Sequence, residues 1–346
     1  MNAPIAPDGA AIVSGDPTGR TRARAMLRVL QANGILLALV VLLVVGFALS
    51  RNFLTAGNIA NVARQASIAG ILGIGMTFVI LTAGIDLSVG SVLGLASIGF
   101  AAAMTNGVPW PLAMLVALAI GAGAGAINGL GITRGRLQPF IMTLGMLVIA
   151  RGVTMTFANG KPIPLGSTAA GVDWLGNGTV LAIPGTFPGV PVPVLVFGGL
   201  AVAAWFLLRH TTFGRAIYAV GDNPEAARLA GIPTRTIVFS TYVISGLCAA
   251  IAGLIVVARL TSAEPRSGEG FELDAIAIVV IGGTSLFGGE GGVGGTVIGA
   301  AIVAAMNNLL NLLGVSPFSQ QIVKGLIILG AVFLERRSAG RSGEGR

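Results

Sequence analysis

The most regular feature of this chain is a succession of long apolar runs separated by short polar segments. About 20 helical residues cross the hydrocarbon core of a bilayer, because each residue adds about 1.5 Å. Counted at that length, the runs predict ten membrane-spanning helices. Their predicted ranges are 30–49, 58–81, 88–104, 112–132, 137–157, 191–208, 236–258, 275–286, 293–313 and 318–334. The sequence therefore predicts an all-α, polytopic transmembrane bundle: a permease-like domain at 30–334, between tails at 1–29 and 335–346.

The basic residues predict an orientation for these spans. If the 1–29 tail lies inside the cell, fourteen arginines fall in inside segments and only four basic residues fall in outside loops. The inside set is Arg20, Arg22, Arg24, Arg28, Arg134, Arg136, Arg209, Arg215, Arg228, Arg235, Arg336, Arg337, Arg341 and Arg346. The outside set is Arg51, Lys161, Arg259 and Arg266. This asymmetry follows the positive-inside rule and predicts that both termini are cytoplasmic, with no cleaved signal peptide before the first span.

Composition supports a membrane protein and argues against several other classes. The chain is 54% hydrophobic and 10% charged, with a mean hydropathy of +0.89, so lipid is its expected surroundings. Its net charge of +8 lies beside the spans, where topology explains it better than a nucleic-acid partner does. One cysteine, Cys248, excludes an internal disulfide, and with a single histidine, His210, no metal site or catalytic set can be assembled.

Two predicted spans are short and interrupted by glycine. The third follows the polar turn that contains Asp86, and the eighth is barely 12 residues long and begins at Asp274. Each aspartate suits a helix cap. Interrupted segments at matching places in two halves indicate an inverted repeat with the translocation path between the halves. The alternative is a misplaced boundary at a glycine-rich helix end.

Small residues recur at four-residue spacing in three places, which predicts closely packed helices. The sets are Gly121, Gly125 and Gly129; Gly90 and Gly94; and Gly295 and Gly299. A dinucleotide-type pattern at Gly289, Gly291 and Gly294 is discounted because it joins two membrane spans. No phosphate-binding GxxxxGK[ST] pattern occurs, so the chain is not expected to hydrolyse ATP or to be an enzyme.

The polar segment 209–235 carries the signals of one short helix. Asn223 can cap it, Pro224 suits its first position, Glu225 suits the positive end of its dipole, and Gly231 can end it. A short capped helix on the cytoplasmic side can seat in a groove of a soluble motor protein. The alternative is an ordinary amphipathic connection.

The acidic residues fall at span ends or in loops, so no buried carboxylate is expected to couple transport to an ion gradient. The energy for translocation must then come from another subunit. A path without buried charge suits a neutral solute.

Three stretches resemble the ribose/xylose/arabinose-type permeases of bacterial ABC importers. They are GMTFVILTAGIDLSVG at 75–90, GRAIYAVGDNPEAARLAGI at 214–232 and GGTSLFGG at 282–289. The resemblance covers about residues 30–337 and implies a type II-like permease of the bacterial inner membrane. It also implies a homodimer, a cytoplasmic ATP-binding subunit and a periplasmic solute-binding protein. This chain itself would hold no cofactor, since the partner subunit binds ATP. Glu290 departs from the expected basic or small residue.

The resemblance assigns 214–232 to contact with the ATPase, with Asn223–Gly231 as the coupling helix. Glu225 and Arg228 would meet the motor, while Gly214 and Gly221 would set bends. The full set of candidate coupling residues is Gly214, Arg215, Gly221, Asn223, Glu225, Ala226, Arg228 and Gly231.

Six residues are candidates for the translocation path: Asp86, Ser88, Asn128, Gln138, Arg151 and Asn307. Asp86 and Ser88 also suit a purely structural capping role, and the three amides also suit hydrogen bonds between helices. Arg151 either contacts solute or extends its head group to the membrane surface.

The expected mechanism is alternating access, with a loaded binding protein docking on outside loops that include 159–190 and 259–274. A monosaccharide is the expected cargo. Branched-chain amino acids or nucleosides carried by the same machinery, and a stand-alone transporter, are the alternatives.

Overall fold

A computed structural model describes residues 34–183, 189–327 and 329–330, and helices dominate that part of the chain. The helices are α1 (Gly34–Leu49), α2 (Ala56–Leu81), α3 (Val89–Thr105), α4 (Trp110–Thr133), α5 (Pro139–Phe157), α6 (Asp173–Asn177), α7 (Val192–His210), α8 (Thr212–Asp222), α9 (Pro224–Leu229), α10 (Thr234–Leu260), α11 (Phe271–Ile281) and α12 (Val293–Leu312). Residues 317–327 and 329–330 are also helical and are called α13. The predicted tails at 1–29 and 335–346 lie outside the described residues.

Each predicted span overlaps one of these helices. Six helices, α2, α4, α5, α7, α10 and α12, are long and apolar enough to cross a membrane, and α1 and α3 are shorter apolar helices. Large apolar side chains face outward along them, such as Val44, Val148 and Val202, as expected for a surface covered by lipid. The fold is therefore a multi-pass helical membrane bundle, which confirms the predicted class.

Helices α2 and α10 form the centre of the bundle. Every residue of 70–81 in α2 is buried, and α10 packs against α2, α3 and α4. The α4–α10 contact is made through glycine: a Cβ at Gly121 would overlap the carbonyl oxygen of Gly246, and a Cβ at Gly246 would overlap that of Gly121. The predicted close packing at Gly121, Gly125 and Gly129 is thus confirmed, because all three lie against α10.

The other two glycine pairs also lie at close contacts. Gly90 and Gly94 of α3 face the backbone of loop 264–270, and Gly295 and Gly299 of α12 face α11. At each of these positions a side chain would push two backbones apart. The four-residue spacing therefore predicted helix contacts correctly for the glycines of α4 and α12, whereas Gly90 and Gly94 lie against a loop.

Helix α11 is short, as predicted, but its position differs from the prediction. It begins after Gly270, which has a φ of +82°, and ends before Gly282 and Gly283, the latter with a φ of +81°. The predicted range of 275–286 was therefore shifted toward the C-terminus. Consequently Asp274 lies inside the first turn of α11 and caps nothing.

The first turn of α3 lies directly against the segment that leads into α11. A Cβ at Gly90 would overlap the carbonyl oxygen of Gly268, and the reverse contact is equally close. Two short helices thus begin side by side inside the bundle. This arrangement is what the inverted-repeat prediction requires of spans three and eight, although the repeat itself stays a prediction.

Small antiparallel strands close the bundle at one end. β1 (Ile163–Pro164) pairs with β4 (Ser262–Ala263), and β2 (Thr179–Val180) pairs with β3 (Val190–Pro191). We call this the strand end. Helix α10 runs from α9 to β4, so α8 and α9 lie at its other end, called the α8–α9 end.

Replacing Gly121 by valine should destabilise the protein, because the new side chain meets the α10 backbone. We expect a loss of about 1–3 kcal/mol, the usual cost of overpacking. Gly123→Val is the matched control, since Gly123 is exposed on the same helix with no atom near its Cβ position. Thermal unfolding in detergent measures both, and equal melting temperatures would contradict the proposed contact.

Candidate functional site

Helix α9 is capped as its sequence predicts. Asn223 Oδ1 accepts hydrogen bonds from the backbone N–H groups of Glu225 (3.1 Å) and Ala226 (2.9 Å). Pro224 occupies the first helical position, and Gly231 follows the helix with a φ of +83°. The predicted short helix at Asn223–Gly231 is confirmed, with both of its end signals in use.

The outer face of α9 presents charge beside an apolar side chain. Arg228 Nε donates to Glu225 Oε2 at 3.1 Å in an exposed ion pair. This hydrogen bond, helped by the arginine charge, lowers the pKa of Glu225 below its usual value, so the pair is fully ionised at neutral pH. Leu229, which follows the pair, is 77% exposed. Only Ala227 of this helix is buried, so nearly the whole helix is available to a partner.

The segment before α9 differs from the prediction of a single helix. Residues Thr212–Asp222 form a second helix, α8, capped by the Thr211 hydroxyl, which accepts from Gly214 N at 3.1 Å. Gly214 and Gly221 lie within α8 and do not set bends. Both are buried where a Cβ would overlap neighbouring backbone, so they permit close contact instead. Arg215 is exposed on α8.

Helix α8 packs on the loop between α11 and α12, residues 282–292. The Tyr218 hydroxyl donates to the carbonyl oxygen of Gly291 at 2.9 Å. A Cβ on Gly288 would lie 2.9 Å from the carbonyl oxygen of Gly221. Phe287, in the same loop, is 68% exposed. The 214–232 and 282–289 motifs are therefore in direct contact at the α8–α9 end.

The third motif, 75–90, meets the other two at the end of α2. Gly289 N donates to the carbonyl oxygen of Leu81 at 3.1 Å, and Gly221 lies against that same carbonyl. The chain then turns at Ala83, a non-glycine residue with a φ of +58°, and leads to Asp86. The three stretches that carry the family resemblance thus meet at one point, far apart in sequence but adjacent in space.

Asp86 is the centre of a buried hydrogen-bond network. Its Oδ1 accepts from Ser88 N (2.9 Å) and Ser88 Oγ (2.6 Å), and its Oδ2 accepts from Ser245 Oγ of α10 (2.8 Å). Asn128 Nδ2 of α4 donates to Ser88 Oγ at 2.9 Å. The Asp86 side chain thus holds the backbone just before α3, but α3 has no side-chain cap, so the prediction that Asp86 and Ser88 cap this helix was wrong. Three of the six candidate path residues meet here.

The prediction that no carboxylate is buried was wrong. Asp86 is 1% exposed and Asp274 is 6% exposed. Asp274 forms an ion pair with Lys324 of α13, with its Oδ1 2.8 Å from Lys324 Nζ. The sequence around both aspartates is typical of loops and therefore does not indicate that they are buried. Lys324, which lies inside a predicted span, does indicate an acidic partner.

The other three candidate path residues lie apart from this network. Gln138 is exposed just before α5, and Asn307 is partly buried on α12, with its Oδ1 unpartnered among the described residues. Arg151 Nη1 donates to the carbonyl oxygens of Pro265 (2.8 Å) and Ser267 (3.0 Å). Arg151 therefore holds loop 264–270 in this structure.

The described part of the chain contains no group of three or more His, Cys, Asp or Glu side chains able to hold a metal ion. Cys248 is free and buried. Sequence reasoning missed Ser245, a member of the Asp86 network, and its neighbour Tyr242, whose hydroxyl lies beside Gly84 without a hydrogen-bond partner among the described residues. Their three-residue spacing inside an apolar span places both on one helix face and was the available signal.

Known proteins match this chain over most of its length. The family model described as "Branched-chain amino acid transport system / permease component" matches residues 58–332. The ribose import permease protein of Escherichia coli is 48% identical over 304 residues, covering 87% of this chain and 92% of that protein. The corresponding protein of Bacillus subtilis is 45% identical, covering 90% and 94%. The D-allose transport system permease protein of Escherichia coli is 40% identical, covering 82% and 85%. No solved structure matches significantly.

Removing the Asn223 cap should loosen α9 without unfolding the bundle. Asn223→Ala is expected to cost about 1 kcal/mol locally, which raises amide hydrogen exchange in 225–231 about fivefold. Asn223→Asp keeps the acceptor oxygen and is the control. Unchanged exchange in the alanine variant would show that the cap contributes nothing to α9.

The Asp274–Lys324 pair should show strong coupling. Lys324→Met leaves a buried carboxylate unpaired and should cost about 3–5 kcal/mol. Adding Asp274→Asn removes that charge and should recover most of the loss. Thermal unfolding of the single and double variants tests this, and strictly additive effects would rule out a stabilising pair.

Proposed function

The chain belongs to the family of branched-chain amino acid transport system permease components, and we propose on that premise that it is the membrane-spanning subunit of an ATP-driven bacterial importer for a monosaccharide. The relatives named for ribose and D-allose support the class of cargo. As a permease it is a transport component and not an enzyme. ATP hydrolysis then belongs to a separate subunit.

The contact between the three motifs carries this proposal. An exposed, capped helix, α9, continues directly from α8, and α8 touches both the end of α2 and loop 282–292. Because glycine brings these backbones into van der Waals contact, a displacement of α8 and α9 cannot be absorbed by side chains alone. The displacement is passed to Leu81 and from there to the turn that carries Asp86.

We place the ATP-binding subunit at the α8–α9 end and the solute-binding protein at the strand end. The exposed pair Glu225 and Arg228, with Leu229 beside it, offers the ATPase both charge and an apolar anchor. At the strand end, Trp174 and Leu181 are exposed apolar side chains in the segment expected to meet the binding protein. Both termini then lie in the cytoplasm.

Two copies of the permease would form the complete path. ATP binding brings two ATPase subunits together, the two α9 helices move with them, and spans around the dimer axis open and close alternate sides. Loop 264–270, which leads from the strand end to the first turn of α3 and is held by Arg151, is the element that a docked binding protein would displace. Release of solute inward follows ATP hydrolysis and reopening.

The test is copurification of the tagged permease with its ATPase and binding protein in mild detergent. We expect Glu225→Ala to reduce ATPase retention and ATP-driven uptake about tenfold, because the α9 surface loses its carboxylate. Glu269→Ala is the matched control for retention. Glu269 also forms an exposed pair with an arginine three residues away, Arg266, but in loop 264–270, toward the strand end.

Two outcomes would overturn the proposal. Equal ATPase retention by wild type and Glu225→Ala would remove α9 from the docking surface. Uptake of solute by the chain alone in liposomes, without ATP, would point to a stand-alone carrier. A complex that hydrolyses ATP but moves leucine or nucleosides in place of sugars would change only the cargo.

A further inference from the structure

The Asp86 network contains more polar groups than are needed to anchor a turn. Five side chains from three parts of the bundle meet there: Asp86 and Ser88 before α3, Asn128 on α4, and Tyr242 and Ser245 on α10. Each is at most 1% exposed. We call this set the hydroxyl cluster. Hydrogen bonds between helices account for Ser88, Ser245 and the Asn128 amide nitrogen, but Asn128 Oδ1 and the Tyr242 hydroxyl have no partner among the described residues.

Counting protons fixes the direction of the bonds. Ser88 has one hydroxyl proton, which is directed to Asp86 Oδ1 at 2.6 Å. Asn128 must therefore present its amide nitrogen to Ser88 Oγ, and its carbonyl oxygen points elsewhere. That oxygen is buried and has no hydrogen-bond partner among the described residues. It is a free acceptor beside a carboxylate that has already taken three donors.

The hydroxyl of Tyr242 is the second unpaired group. Tyr242 is 0% exposed, and its oxygen also lacks a partner among the described residues. It lies one turn before Ser245 on the same face of α10, and it reaches Gly84 so closely that a Cβ there would overlap it. A buried hydroxyl without a hydrogen-bond partner is destabilising, and a phenylalanine would avoid that cost. A bound molecule that supplies a hydrogen-bond partner would remove that cost.

We propose that the hydroxyl cluster is a binding point on the translocation path for the hydroxyl groups of a neutral, polyhydroxylated solute. This inference rests on the proposed function and adds Tyr242 and Ser245 to the path. When Leu81 and the turn after it move with α8, the bond between Asp86 and Ser245 opens. The freed carboxylate, amide and hydroxyl groups then form hydrogen bonds to the solute in place of their hydrogen bonds to each other.

The chemistry of the cluster selects among the candidate cargoes. A sugar hydroxyl both donates and accepts, and the cluster offers acceptors on Asp86 and Asn128 and donors on Ser245 and Tyr242. A branched-chain amino acid would also have to bury its own carboxylate, for which none of the five side chains of the cluster offers a cation. The cluster therefore favours sugars over branched-chain amino acids.

Tyr242→Phe separates binding from structure, because it removes one oxygen that has no partner among the described residues. A packing role predicts equal or higher thermal stability and unchanged transport. The proposed role predicts that uptake falls about tenfold or more at equal ATPase retention, as expected when a site loses a hydrogen bond to a substrate hydroxyl. The assay uses the permease with its ATPase and loaded binding protein in proteoliposomes, with ribose, allose and xylose as probes.

Two further variants complete the experiment. Thr154→Val is the control, since it removes a buried hydroxyl whose one hydrogen bond among the described residues is to its own helix, at Ala150 O, and uptake should be unchanged. Asn128→Ala removes the free acceptor and should lower uptake as Tyr242→Phe does. Wild-type rates in Tyr242→Phe would overturn the inference while leaving the importer intact. Absence of uptake of all three sugars by the wild-type complex would instead refute the monosaccharide cargo, and this inference with it.

Discussion

The rest of the structure depends on one backbone contact, in which Gly221 lies against the carbonyl oxygen of Leu81 while Gly289 N donates to the same oxygen. No side chain lies between these three segments, so they keep their relative positions or move together. Through this contact the exposed helix α9 is connected to the buried turn at Asp86. A surface that a soluble partner can reach is thereby linked to the interior of a membrane bundle.

The interior of the bundle is polar at specific points and apolar elsewhere. Asp86 is satisfied by three donors without a cation among them, whereas Asp274 is satisfied by Lys324. Membrane interiors tolerate such groups only when they are paired or serve a function. The two solutions suit two roles: an ion pair holds α13 to α11, while a network of neutral donors can be exchanged for the hydroxyls of a solute.

Burial of these acids changes one argument about mechanism. From the sequence alone, an ion-coupled carrier is disfavoured because no carboxylate is expected in the interior. The described residues nevertheless include two buried carboxylates, Asp86 and Asp274. The case for an importer subunit rests instead on the family and on the geometry of α8 and α9. An ordinary loop would not present an exposed, doubly capped helix whose neighbour is packed on two distant segments through glycine.

The sequence by itself determined the class, most of the long helices and the caps of α9. Hydropathy, four-residue glycine spacing and Asn223 with Gly231 are local properties, since each is read from residues a few positions apart. Only the tertiary structure decided where the polar residues meet. Ser245 and Tyr242 lie more than 150 positions from Asp86, and the bounds of α11 depend on backbone angles at Gly270 and Gly283. Burial and hydrogen-bond pairing depend on which helices pack together, and apolar periodicity carries no information about that choice.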